Sequence, residues 1–205
     1  MRVAAGILAA IGWFALALQL WLLLAVNDQA GIAIGESLVR FFSYFTILTN
    51  ILAATVLTGA ALGQRGTFFS RAGTQTAIAS YITIVGLVYV TILRHLWAPT
   101  GPQWLADTLL HYAMPALYVL FWFFFVQKGT LNFRDSLWWL IFPFGYVALI
   151  LARGAPSGFY PYPFIDVAKL GYQQVLLNSA GLFAVFAVCG LIYVALSRLL
   201  AKQNR

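Results

Sequence analysis

Six runs of apolar residues, at 3–26, 38–62, 74–97, 103–126, 136–151 and 172–196, alternate with short polar breaks along the chain. A helix of about 20 apolar residues spans the hydrocarbon core of a bilayer; five of the runs meet that length and the fifth, at 136–151, is the shortest. Lipid offers no hydrogen bonds to an exposed main chain, so such runs are helices unless strands close into a barrel. The alternating pattern of a membrane barrel is absent, as is any fixed-period repeat. The turn-rich break Ala98-Pro99-Thr100-Gly101-Pro102 makes spans three and four antiparallel neighbours. The pattern predicts an all-α polytopic membrane protein, a bundle of six transmembrane helices forming one domain over residues 1–205.

Composition agrees. Of the 205 residues 62% are hydrophobic and only 8% charged, too little charge for a soluble domain of this size. Charge placement sets the orientation. With both termini cytoplasmic, the inner face collects Arg2, Arg65, Arg71, Lys128, Arg134, Arg198, Lys202 and Arg205, and the outer face only Arg40, Arg94, Arg153 and Lys169. Because the basic residues sit in short loops and the tail, the net charge of +7 points to membrane topology and not to nucleic acid. Cys189, the single cysteine, excludes an intrachain disulfide and reads as a packing residue. Arg2 before a long apolar stretch has the look of a signal sequence. The stretch is too long and lacks a small-residue cleavage site, so it reads as a retained first span. The connection 152–171 is the longest, and its alternating aromatics and prolines suit an interfacial anchor or a lid.

The chemistry lies in the few polar residues inside the spans. His111 falls about eight residues, or roughly 12 Å, into span four, and a titratable group at that depth is a candidate functional site. Thr46 falls at a matching depth in span two, entering from the same face. A hydroxyl and an imidazole at one depth can form a nucleophile–base pair, although a membrane threonine commonly bonds back to its own helix and a histidine can serve as a structural hydrogen-bond partner. Asp107 precedes His111 by one turn and can hold its tautomer as a third member, or form a simple surface pair. Ser43, Thr46 and Asn50 share one face by spacing, with Thr49 as the rival nucleophile. Thr91 and Asn178 fall in a similar layer, with Arg94, His95, Asp107 and Arg153 just above it. This predicts a polar chamber opening toward the outer leaflet. Pro115 deprives the His111 carbonyl of its helical donor.

At these residues the chain resembles a known family. Tyr44-Phe45-Thr46, followed by Ile47-Leu48-Thr49-Asn50, resembles the second-helix motif of the androgen-induced-protein family of transmembrane threonine hydrolases. Trp104-Leu105 with His111 and Pro115 is similar to that family's Trp-Leu…His…Pro segment. Tyr-Pro-Tyr-Pro-Phe-Ile-Asp-Val at 160–167 is similar to the Tyr-Pro…Asp loop before the last helix of its bacterial members. The resemblance extends over nearly the whole chain as a six-helix pattern, carried by short motifs. It implies an enzyme of lipid metabolism in a bacterial inner membrane, cleaving fatty acid esters of hydroxy fatty acids or a related lipid ester. It assigns Thr46 as nucleophile and His111 as its partner. The segment between Trp104 and His111 departs from the family, so Asp107 rests on spacing alone.

The implied reaction is acyl transfer. His111 takes the Thr46 proton and returns it to the leaving alkoxide, with Asn50, Asn178 or Arg153 as candidate oxyanion donors. The expected partners are membrane lipids and the acyl-ester substrate, with no cofactor, metal or nucleic acid. No GxSxG, HExxH or phosphate-loop motif is present. Two other classes fit the same residues: a b-type haem protein using His95 and His111, and a non-catalytic lipid-binding or transport protein.

Overall fold

The computed structural model describes residues 1–203 and is all-α, with no strand among the described residues. Arg205, one of the expected inner-face basic residues, lies outside the described residues. Five helical stretches are long and apolar enough to cross a membrane: Arg2–Gln29, Ala72–His95, Gly101–Phe125, Asp135–Ser157 and Val167–Lys202. A sixth span is a bent pair, Ile34–Phe41 and Phe45–Ala61, whose halves meet at 75°. The chain is thus an integral membrane protein by length and composition of its helices. It forms two compact units, Met1–Thr130 and Leu131–Arg205.

The first unit begins with α1 (Arg2–Gln29), which lies along α3 (Phe45–Ala61). Ala5, Ala9 and Ala15 of α1 and Ala53 and Ala54 of α3 are buried, and small residues let membrane helices approach closely without help from water. The short α2 (Ile34–Phe41) carries the Glu36–Arg40 ion pair one turn apart and is largely exposed. Next, α4 (Ala72–Thr91) packs on α3 and on α6 (Met114–Phe125). Polar side chains pin these helices: Trp13 Nε1 donates to Thr58 Oγ1 at 3.0 Å and the buried Trp122 Nε1 to Thr76 Oγ1 at 2.9 Å. The fourth span is α5 (Gly101–Thr108), a π-helical turn at Leu109–Ala113, and α6.

The second expected span, 38–62, is not one helix. The helix stops at Phe41 and restarts at Phe45. Ser43, within the break, donates its Oγ hydrogen to the Val39 carbonyl. Ser43 therefore lies in the break and not on one continuous helix with Thr46 and Asn50.

The second unit contains α7 (Asp135–Trp139), α8 (Ile141–Ser157) and α9 (Val167–Gln203), whose two parts meet at Gly171, the point where the sixth run was expected to begin. The expected long connection is shorter than read. Helix continues to Ser157 and resumes at Val167, and the intervening turn at Pro163–Ile165 is packed, with Tyr162 and Ile165 buried. Asn178 Nδ2 donates to the Phe164 carbonyl at 2.9 Å, fastening this segment to α9. That arrangement is an anchored turn.

Candidate active site

The site begins with a break in regular helix. At Leu109–Ala113 the backbone widens to π geometry, with the N–H of Met114 bonded to the Leu109 carbonyl five residues back. Pro115 has no N–H for the His111 carbonyl, which removes one of the bonds that would hold an α-turn there. Gly86 of α4 fits against this exposed backbone: a Cβ on it would lie 3.4 Å from the His111 carbonyl oxygen and 3.3 Å from Pro115 Cβ. Wide turns of this kind are frequent at functional sites.

Within the turn, His111 Nδ1 lies 3.1 Å from the Asp107 carbonyl and 3.2 Å from Asp107 Oδ1. Both neighbours are acceptors, so Nδ1 carries a proton, and in the neutral ring the lone pair is on Nε2. The proton is directed at the carbonyl. Oδ1 accepts no hydrogen bond among the described residues and lies beside the ring nitrogen. Asp107 is 3% exposed, which removes the alternative of a solvated surface pair. A buried carboxylate needs partners, and the second one comes from α4: the Tyr89 hydroxyl donates to Asp107 Oδ2. The Tyr89 ring also stacks on the imidazole, and Tyr112 meets Tyr89 edge-on. Nε2 of His111 makes no hydrogen bond among the described residues.

Thr46 is the second residue of α3 and is 6% exposed. The bend in the second span thus puts Thr46 in the first turn of a helix, where the peptide dipoles favour negative charge, and not two turns inside one as its expected depth implied. The fully buried Asn50 connects this turn to the histidine's. Its Nδ2 donates to the Thr46 carbonyl at 2.9 Å and to the Leu110 carbonyl at 3.2 Å. The amide fixes the start of α3 against the residue next to His111. Two buried oxygens here, Asn50 Oδ1 and Thr49 Oγ1, make no hydrogen bond among the described residues. Thr49 is fully buried.

The remaining expected residues are engaged elsewhere. Asn178 is in the second unit, where both ends of its amide are used, Nδ2 on Phe164 and Oδ1 by Gln174 Nε2 at 2.9 Å. Arg153, also in that unit, holds its guanidinium over the Phe159 ring. Thr91 bonds back to the Leu87 carbonyl at 2.7 Å. His95 sits in an exposed turn at Leu93–His95, its Nε2 facing Arg94 Nε at 3.2 Å. Tyr89 and Gly86 were not anticipated. A tyrosine near the outer end of span three was the only trace of the first, and nothing in the local pattern distinguishes Gly86.

Comparison of the chain with family models, curated proteins and solved structures finds no match. The chemistry of the site therefore stands on the geometry itself: a buried carboxylate, an imidazole held in one tautomer, and an adjoining helix start carrying a threonine.

Proposed function

We propose that the chain is an intramembrane hydrolase of fatty acyl esters, with Thr46 as nucleophile and His111 as general base. The observation that carries this reading is the buried Asp107 carboxylate, bonded by Tyr89 and set beside His111 Nδ1, which leaves Nε2 as the basic nitrogen of the neutral ring. Resemblance to the androgen-induced-protein family at the Thr46 and His111 motifs supports the same roles. The proposed setting is a bacterial inner membrane with both termini cytoplasmic, following the distribution of basic residues.

In the proposed reaction Nε2 removes the Thr46 proton as Oγ1 attacks the ester carbonyl. The positive charge that develops on the ring is stabilised by Asp107, as in other acid–base–nucleophile triads. Collapse of the tetrahedral intermediate breaks the ester C–O bond, and the imidazolium gives its proton to the departing alkoxide. Water activated by the same nitrogen then cleaves the acyl-threonine, releasing the fatty acid and regenerating the hydroxyl. Asn50 holds the two turns in register and touches no reacting atom, so its role is positioning.

The test is covalent labelling of the purified protein with an acyl-ester-mimicking phosphonate, mapped by mass spectrometry. The expected adduct is on Thr46, lost in both Thr46→Ala and His111→Ala. Thr46→Ser should keep some turnover, because the hydroxyl performs the chemistry. An adduct on Thr49 would move the nucleophile. Absence of any adduct, with no turnover across straight and branched acyl esters in micelles, would leave lipid binding as the function.

A further inference from the structure

A cavity of about 280 Å³ lies at the other end of α3. Gly59, in its wall, is thirteen residues beyond Thr46, roughly 20 Å along the helix axis. Its polar lining includes Arg2, Gln64, Arg65, Thr67, Ser70 and Gln127. None of the chain's acids, Asp28, Glu36, Asp107, Asp135 and Asp166, lines it. Neither Arg2 nor Arg65 forms an ion pair among the described residues. Lys128, by contrast, is already taken by the carbonyls of Trp122, Phe123 and Val126.

The Arg2 guanidinium is seated by the fold. It rests on Gly63, where a Cβ would lie 2.4 Å from Nη2, and Gly63 has the positive φ of 71° that glycine adopts freely. A side chain at that position would displace the guanidinium. The following loop adds main-chain donors, since the N–H groups of Arg65, Gly66 and Thr67 bond to no main-chain carbonyl among the described residues. Basic residues that only set topology need neither a cavity nor a cradle.

We propose that this cavity binds a phosphate group. Two forked guanidiniums match phosphate oxygens in pairs, and hydroxyl and amide donors complete the shell. The volume is at the low end for small-molecule sites, enough for a phosphate ester headgroup and too little for acyl chains. The anionic headgroups of the cytoplasmic leaflet and free phosphate esters share this chemistry. The site is independent of the hydrolase reading.

The test uses full-length protein tagged at the C-terminus, purified in a nonionic detergent. Binding is measured with phosphatidylcholine vesicles, with the same vesicles containing phosphatidylglycerol, and with glycerol phosphate alone. Wild type should prefer the phosphatidylglycerol vesicles, and Arg2→Gln/Arg65→Gln should weaken that binding by roughly tenfold or more. Arg71→Gln, which removes the same charge outside the lining, should bind as wild type does. Arg65→Gln alone, in an exposed loop, gives a folded variant with an intermediate loss. Saturable binding of glycerol phosphate that depends on both arginines identifies a free ester as the ligand; preference for the vesicles alone identifies the lipid. Equal binding to the two vesicle types without glycerol phosphate binding overturns the proposal. So does an arginine pair whose loss matters no more than that of Arg71.

Discussion

The ring of Tyr89 lies flat on that of His111, the centroids 4.1 Å apart and the planes 15° from parallel. The same tyrosine gives its hydroxyl proton to Asp107. One side chain from α4 therefore restrains the imidazole by its face and the carboxylate by its second oxygen. The imidazole and the carboxylate are thus both tied to one residue of α4.

Asp107→Asn should lower ester turnover by roughly a hundredfold or more, because an amide at Oδ1 no longer stabilises the imidazolium. Tyr89→Phe keeps the stacked ring and loses one hydrogen bond, so its effect should be smaller and in the same direction. Initial rates in micelles, alongside melting of each variant, separate chemistry from folding. Wild-type turnover in a folded Asp107→Asn would remove the carboxylate from the mechanism.

Asn50→Ala removes the bond from α3 to the Leu110 carbonyl and the bond within α3 to the Thr46 carbonyl. The Leu110 carbonyl then loses its side-chain donor inside the bundle, at an expected cost of about 1–3 kcal/mol. Thermal unfolding in detergent measures this directly. An unchanged midpoint would show that the bridge is not a stabilising contact.

Lys128 predicts a pH effect of definite sign. It lies just outside the fourth span, and burial lowers its pKa from 10.5 to about 8. Between those values the unfolded chain holds a proton that the folded chain has released, so folding stability rises with pH across that window and is lost again as pH falls through about 8. In Lys128→Met this alkaline gain should be absent. The comparison is the difference in melting temperature between the two proteins, followed from pH 7 to 10. A constant difference would contradict the shift.

Orientation can be read from reporter fusions. Fusions after Arg65 and after Lys128 should report a cytoplasmic location, and one after Pro156 an external one, as the basic residues require. An external signal at Arg65 would invert the molecule, placing the phosphate cavity at the outer face.

Helix positions were legible because hydropathy at a 20-residue scale is the dominant signal in a membrane chain. The first, third and fourth runs correspond to helices whose ends moved by a few residues, and the sixth to a helix that starts earlier and ends later than 172–196. The bend at 42–44 was not legible. Phe41, Phe42, Tyr44 and Phe45 are as apolar as a continuing span, so hydropathy carries no mark of the break. The Asp107–His111 pair could be read from its one-turn spacing. Its burial could not, since that depends on Tyr89 arriving from another helix.

The wide turn at Leu109–Ala113 is equivalent to inserting one residue into a helix. Each residue advances the helical phase by about 100°, so the faces before and after the turn are set separately. Upstream, the phase directs Asp107 toward Tyr89. Downstream, it buries Met114, Tyr118 and Trp122, with Trp122 held by Thr76. An uninterrupted helix would satisfy one of these alignments and rotate the other away. Deleting a single residue from 109–113 should therefore leave a well-packed α6 with a misdirected carboxylate. Because the offset uncouples the two segments, substitutions around the Asp107–His111 pair and substitutions that repack α6 can accumulate without sharing one helical period.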